Sequence, residues 1–194
     1  MKKILLLLAE GFEEIEALTP VDYLRRADVD VDMASLTDDL SVTGAHGIVV
    51  SADTTLDSID PTVYDGVYLP GGMPGSLNLR DDARVLNIVR DFADTGKAVA
   101  AICAAPIVLE KAGVIADKRV TGYPGTVDKL ENVGTYDTEA IVVQDENIFT
   151  GRGAAAAVYL SFALITALCG EETTERVKQG IQQQAVESLY GFSS

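Results

Sequence analysis

The chain has 194 residues, enough for one sizeable core and short for two ordinary domains, so a single domain over residues 1–194 is expected. A hydrophobic fraction of 47% with 23% charged residues excludes a disordered or fibrous chain. Fifteen Lys and Arg against 30 Asp and Glu leave a net charge of −15, which opposes binding to a polyanion, so no nucleic-acid partner is expected.

Met1-Lys2-Lys3 followed by Ile4 to Ala9 imitates the start of a secretory signal, but the apolar run stops at Glu10 and no small-residue cleavage site follows. A buried strand over Ile4 to Leu8 explains the run, of the kind found in parallel sheets covered on both faces. From Glu13 to Ala27 apolar residues recur at every third position (Ile15, Leu18, Val21, Leu24, Ala27), which predicts a helix, with Thr19-Pro20 able to restart it after a kink. Val29, Val31 and Met33 alternate with Asp30 and Asp32 as in a strand, and Ile48 to Ser51 is a second β-branched run.

Strands are then predicted at Gly66 to Leu69, Ala98 to Ile102, Val120, Ala140 to Val143 and Ile148 to Thr150, the last two joined by the polar turn Asp145-Glu146-Asn147. Helices are predicted from Ala83 to Thr95, Ala105 to Ala112 and Ala154 to Leu168, closed by Gly96, Gly113 and Gly170, with a weaker polar helix from Thr173 onward. The apolar stretch before Leu168 is too short for a membrane span. No membrane partner is expected, and the location expected is cytoplasmic. Cys103 and Cys169 sit in apolar segments rather than in a disulfide framework and are read as reduced. The alternation of strand and helix predicts an α/β fold, a doubly wound, mostly parallel sheet with helices on both faces.

Ligands in such sheets gather at the carboxyl ends of the strands. Three loops there stand out. Glu10 to Glu16 carries one glycine among its carboxylates and is poorly suited to phosphate. Leu69-Pro70-Gly71-Gly72-Met73-Pro74-Gly75 is either a tight strand-to-helix turn or a loop whose amides face an anion. Ala101-Ile102-Cys103-Ala104-Ala105-Pro106 sets a cysteine between strand and helix, as in a nucleophile elbow; the helix N-terminus would lower the Cys103 pKa. Cys169 reads as a core residue.

The segments Ala9 to Glu16, Leu69 to Gly72, Ala101 to Pro106 and Thr150-Gly151-Arg152-Gly153 together resemble the DJ-1/ThiJ/PfpI superfamily, in its DJ-1-like branch with bacterial ThiJ-type relatives. The resemblance implies a flavodoxin-like sandwich, usually a homodimer, in which an acid on the first helix touches a nucleophilic cysteine. By the same resemblance, Glu16 is that acid, Cys103 the nucleophile, Gly71, Gly72 and Ala104 the backbone loop around the sulfur, and Arg26 an arginine reaching the partner's site. Arg152 belongs to the matching segment and is a pocket or interface candidate.

Departures from the pattern narrow the chemistry. Tyr123 stands where many DJ-1-like proteins place a histidine, Ala104 where PfpI-type proteases have the histidine that follows the cysteine, and no histidine follows His46 to build an amidotransferase His-Glu pair. His46 itself reads as an exposed hairpin residue, with the edge of a partner's site as the alternative. The activity implied is metal-free and cofactor-free: Cys103 adds to a small carbonyl compound, or to a glycated thiol or amine, and Glu16 moves the proton, as in glyoxalase III or protein deglycase chemistry. The alternative is a redox-sensing or chaperone-like protein in which Cys103 is oxidised without turnover.

Overall fold

The computed structural model describes residues 1–190. In chain order its elements are β1 (Lys3–Leu8), α1 (Glu14–Arg26), β2 (Asp30–Ser35), β3 (Ser41–Thr43), β4 (Val49–Ser51), β5 (Thr54–Thr55), β6 (Gly66–Leu69), α2 (Gly75–Asp81) and α3 (Ala83–Asp94). They continue as β7 (Ala98–Ile102), α4 (Pro106–Ala112), β8 (Arg119–Val120), β9 (Thr135–Tyr136), β10 (Val142–Asp145), β11 (Ile148–Gly151), α5 (Ala157–Cys169), α6 (Glu171–Gly180) and α7 (Gln183–Tyr190). Seven strands form one sheet in the order β10-β11-β7-β6-β1-β2-β5, parallel throughout except for the antiparallel β10–β11 hairpin. This is the α/β fold expected.

β1 shows why. Its run of aliphatic residues is continuous because both of its faces are covered. Ile4, Leu6 and Leu8 enter a core under α1 and α5, whereas Leu5 and Leu7 enter a second core under α2, α3 and α4. Burying one such leucine contributes about 2 kcal/mol, so every residue of the run is committed to one layer or the other. α3 presents Val85, Leu86, Ile88, Val89 and Phe92 inward and starts on Asp82, whose carboxylate accepts from the Arg84 N–H. α4 ends on Gly113 at φ +81°, a backbone that glycine adopts without strain.

Several boundaries differ from the sequence reading. α1 runs through Pro20 without a break. α2 was not foreseen: it has seven residues and opens on Gly75, too short for a periodicity to declare itself. Ser41–Thr43 pairs with Val49–Ser51 in a separate hairpin whose first strand has only one buried residue, Val42. The polar C-terminal helix is two, α6 and α7, parted at Gln182, whose φ is +64°. Among the described residues no helix is long and apolar enough to cross a membrane.

Chain order sets the place where loops diverge. After β1 the chain moves to β2 and β5 on one side of the sheet, then returns to β6 on the other and continues to β7 and β11. The carboxyl ends of β1 and β6 therefore flank the switch point where ligands bind in folds of this type.

Candidate active site

The loops after β1 and β6 are laced together. The Glu13 N–H donates to the Gly71 carbonyl at 2.9 Å, and the Gly75 N–H donates to the Gly11 carbonyl at 3.3 Å. So close is the approach that a Cβ on Gly72 would lie 2.4 Å from the Glu13 backbone nitrogen, and Gly72 holds φ at +89°. Gly72→Ala is therefore expected to destabilise the protein by more than about 2 kcal/mol. Urea denaturation checks this, and a midpoint like that of the wild type would contradict the close approach.

Glu13 starts α1: its Oε2 accepts from the Glu16 N–H at 2.7 Å, one of the donors that a helix start leaves open. One turn on, Glu16 is 1% exposed and points under the β6 loop, where its Oε2 accepts from the Gly71 N–H at 2.9 Å. Burial, foremost, raises its pKa to about 7; the Glu13 charge adds to this, while hydrogen bonds from Cys103 and Gly71 oppose it.

Cys103 follows β7 directly and stands at φ +61°. For a residue with a Cβ that backbone costs about 1–2 kcal/mol, and two bonds hold it: the Cys103 N–H donates to the Gly151 carbonyl and the Cys103 carbonyl accepts from the Tyr123 N–H, both at 2.8 Å. The strained turn lifts the sulfur out of the sheet toward Glu16, with which it shares a hydrogen bond, and the Ala104 N–H also reaches it. The expected depression of the Cys103 pKa is not found. Burial first, then the charge and hydrogen bond of Glu16, push the thiol up, and the Ala104 amide offsets only part of this. Two anions cannot share this buried spot. The two groups are coupled, so that ionising one pushes the other further up.

The geometry brings Glu16, Cys103, Gly71 and Ala104 together. The Gly71 amide, expected to face the sulfur, is instead taken by Glu16, and what Gly71 offers the sulfur is space: a Cβ there would lie 2.7 Å from Cys103 Cβ. Gly72 packs against the β1 loop rather than the thiol. Tyr123 is half exposed beside the elbow and lines a cavity of about 460 Å³ with Ile141, Arg152, Ala155 and Tyr159. Arg152 donates from its guanidinium to the Thr138 carbonyl. Arg26 lies at the far end of α1, about 15 Å of helix from Glu16, where its Nε donates to Asp22 at 2.7 Å. It does not enter this chain's own site.

His46 is in the β3–β4 turn, largely exposed, with Nδ1 2.7 Å from Glu14 Oε2. Burial alone would raise the Glu14 pKa, but bonds from the His46 ring and amide and from the Ile48 amide hold it down to about 2. Glu14 and Glu13 were not singled out in the sequence, nor was Tyr68. The Tyr68 hydroxyl is fully buried, feels the charges of Glu16, Glu13 and Cys103, and has no hydrogen-bond partner among the described residues. An aromatic in an apolar strand carries no signal of such a position. Cys103 and Cys169 are both free thiols.

Comparison with known proteins gives this geometry its setting. The DJ-1/PfpI family profile matches residues 2–167. Protein dj-1beta of Drosophila melanogaster is 35% identical over 180 residues, covering 93% of this chain and 96% of that protein. The protein named deglycase PH1704, from Pyrococcus horikoshii, is 36% identical over 151 residues, covering 77% of this chain and 89% of its own. The crystal structure of Drosophila melanogaster DJ-1beta superposes with a TM-score of 0.90 at 35% identity, over 93% of this chain and 97% of that one. The likeness is to the DJ-1 branch and not specifically to bacterial ThiJ. With a match over most of its length in both sequence and fold, the chain belongs to the DJ-1/PfpI family.

Proposed function

We propose that the protein is a cysteine-dependent enzyme acting on reactive carbonyls, of the glyoxalase or deglycase type, with Cys103 as nucleophile and Glu16 as proton carrier. The observation that carries this reading is the placement of Cys103 on a strained elbow against the buried carboxyl of Glu16, where burial pushes both groups up. At neutral pH Glu16 accepts the thiol proton as Sγ forms its bond to the aldehyde carbon, and passes it to the carbonyl oxygen, giving a hemithioacetal. For a 2-oxoaldehyde, Glu16 then moves the C1 proton to C2 while the proton of the C1 hydroxyl passes to the C2 oxygen, and water splits the resulting thioester to a 2-hydroxy acid and free Cys103. With a glycated amine or thiol, Sγ bonds to the hydroxyl-bearing carbon as the bond from that carbon to the amine or thiol breaks, the leaving group departs with the thiol proton carried by Glu16, and the same hemithioacetal results. The name of the archaeal relative, a deglycase, agrees with this class of substrate.

The test is lactate formation from methylglyoxal by the purified protein. No turnover, or an unchanged rate in Cys103→Ala, would overturn the reading.

We also propose a homodimer in a reducing cytoplasm. Both thiols are free, as that compartment favours. Ile15 and Leu18 on α1 and Ile48 and Val49 on the hairpin are exposed, and the bonds between Glu14 and His46 tie these two elements together. Apolar side chains so placed fit a two-fold interface. Ile15→Lys is expected to convert the dimer to monomer in light scattering after gel filtration; a wild type that elutes as a monomer at micromolar concentration would exclude the dimer.

A further inference from the structure

We propose that the Tyr68 hydroxyl is a positioning group for Glu16, a buried donor that bonds to its carboxylate when that group is ionised. Tyr68 is the one side chain of β6 that enters the layer under α1 and α5, since Gly66 has none and Val67 and Leu69 face the other core. In the sheet it stands between Leu6 of β1 and Ala100 of β7, and neither neighbour brings a polar group. The side chain is fully buried, yet its hydroxyl has no hydrogen-bond partner among the described residues. Phenylalanine would fill the same space without the cost of an unpaired hydroxyl. The position is one where packing alone does not call for tyrosine.

What the hydroxyl does have beside it is the reactive pair. Gly71, which holds Glu16, and Cys103 each stand three residues beyond the paired Tyr68 and Ala100. Burial first, and then the charges of Glu16, Glu13 and Cys103, push the Tyr68 pKa well above its ordinary value. The hydroxyl therefore keeps its proton, and toward an anion it can only donate.

Glu16 needs such a donor in one state only. In the structure its carboxyl has two donors, the Gly71 N–H and the Cys103 thiol. The titratable groups that shift it are Cys103 from the end of β7 and Glu13 from the start of α1, and among the described residues no cation joins them. Once the sulfur bonds to carbon or gives up its proton, the thiol donor is gone and Gly71 alone is left. An ionised carboxylate has room for about four donors, and each bond to it favours the charged form. Tyr68 supplies the missing one as the ring and the carboxylate close on each other. Its effect is to bring the Glu16 pKa below what burial alone would set, into the range useful for proton transfer at neutral pH.

The proposal concerns the ionisation of Glu16 and not the carbonyl reaction. A protein without methylglyoxal turnover would leave it standing, and a Glu16 indifferent to Tyr68 would leave the turnover reading standing.

The experiment follows the carbon-13 shift of the Glu16 carboxyl against pH by NMR in the labelled full-length protein, the resonance being identified by its loss in Glu16→Gln. Tyr68→Phe keeps the ring and is expected to fold, with a urea midpoint at pH 5 at or above that of the wild type. In this variant the Glu16 titration should move up by about one pH unit or more, the size of a hydrogen bond to a charged group. A folded pKa raised further above the unfolded one prolongs the loss of stability with rising pH, so a gap against Tyr68→Phe should open as pH passes 7 toward 8. That gap should vanish when the same substitution is made in Glu16→Gln. An unmoved Glu16 titration, a stability loss equal at pH 5 and pH 8, or a pH-dependent loss that persists in the Glu16→Gln background would each overturn the proposal.

Discussion

Cys103→Ala is expected to lower methylglyoxal turnover by at least about a thousandfold, and Glu16→Gln by about a hundredfold, with lactate formation as the measure. The two losses differ because the two groups do different work. Without Sγ no covalent adduct forms, and what remains is the slow reaction of the bound aldehyde with water. Without the Glu16 carboxylate the thiol is still present, but nothing close takes its proton. A glutamine there keeps an oxygen for the Gly71 N–H, so the pocket retains its shape and the loss reports on proton transfer. The pH dependence separates the roles further. Since Glu16 is raised to about 7, kcat/KM in the wild type should climb between pH 6 and 8 as the pair gives up its first proton, and fall away in acid, where thiol and carboxyl are both protonated. In Glu16→Gln that limb should move above pH 8, because ionisation then belongs to the buried thiol alone. A wild-type profile flat from pH 6 to 8, or a Glu16→Gln enzyme with the wild-type limb, would remove Glu16 from the proton path.

Much of this arrangement is legible in the sequence, and the illegible remainder has a common cause. The aliphatic run of β1 and the stop of β7 at Cys103 are local facts: side chains buried on both faces of a strand must be apolar, and the first polar or reactive residue after them marks the carboxyl edge. Pro106 just after Cys103 marks the helix start in the same way. Glu16 is different. Its periodicity is that of any first-turn carboxylate, and only the family resemblance marks it out, because its burial is created by the β6 loop crossing over it from 55 residues away. The raised thiol departs from the in-line reading for the same reason. A helix start after Cys103 can be read from residues in line, but the carboxyl that outweighs it arrives through tertiary packing. Glu14 and His46 meet across a turn, and no period in the sequence connects them.

Glu16→Gln should also stabilise the fold in alkaline solution while it disables the enzyme. The carboxyl of Glu16 has its pKa at about 7 in the folded chain and near 4.5 when unfolded. Between those values the folded chain holds a proton that the unfolded chain has released, so the contribution of Glu16 to stability is fully present below pH 4.5 and declines as pH rises to 7. At pH 8 the loss amounts to about 3 kcal/mol. Glutamine has nothing to ionise and escapes it. Glu14 pulls the other way: held at about 2, it lends stability above pH 4.5 that is lost as the solution is acidified. The wild-type curve alone therefore mixes the two, and the difference between variant and wild type isolates Glu16. That difference, from urea midpoints, should be near zero at pH 4.5 and approach about 3 kcal/mol in favour of Glu16→Gln at pH 8. A variant less stable than wild type by the same amount at both pH values would mean that the carboxyl serves only as a packing and hydrogen-bonding group. The growth of the difference with pH is the signature of a carboxylate kept in a place where the fold alone would not choose it, which is the form a residue retained for chemistry takes.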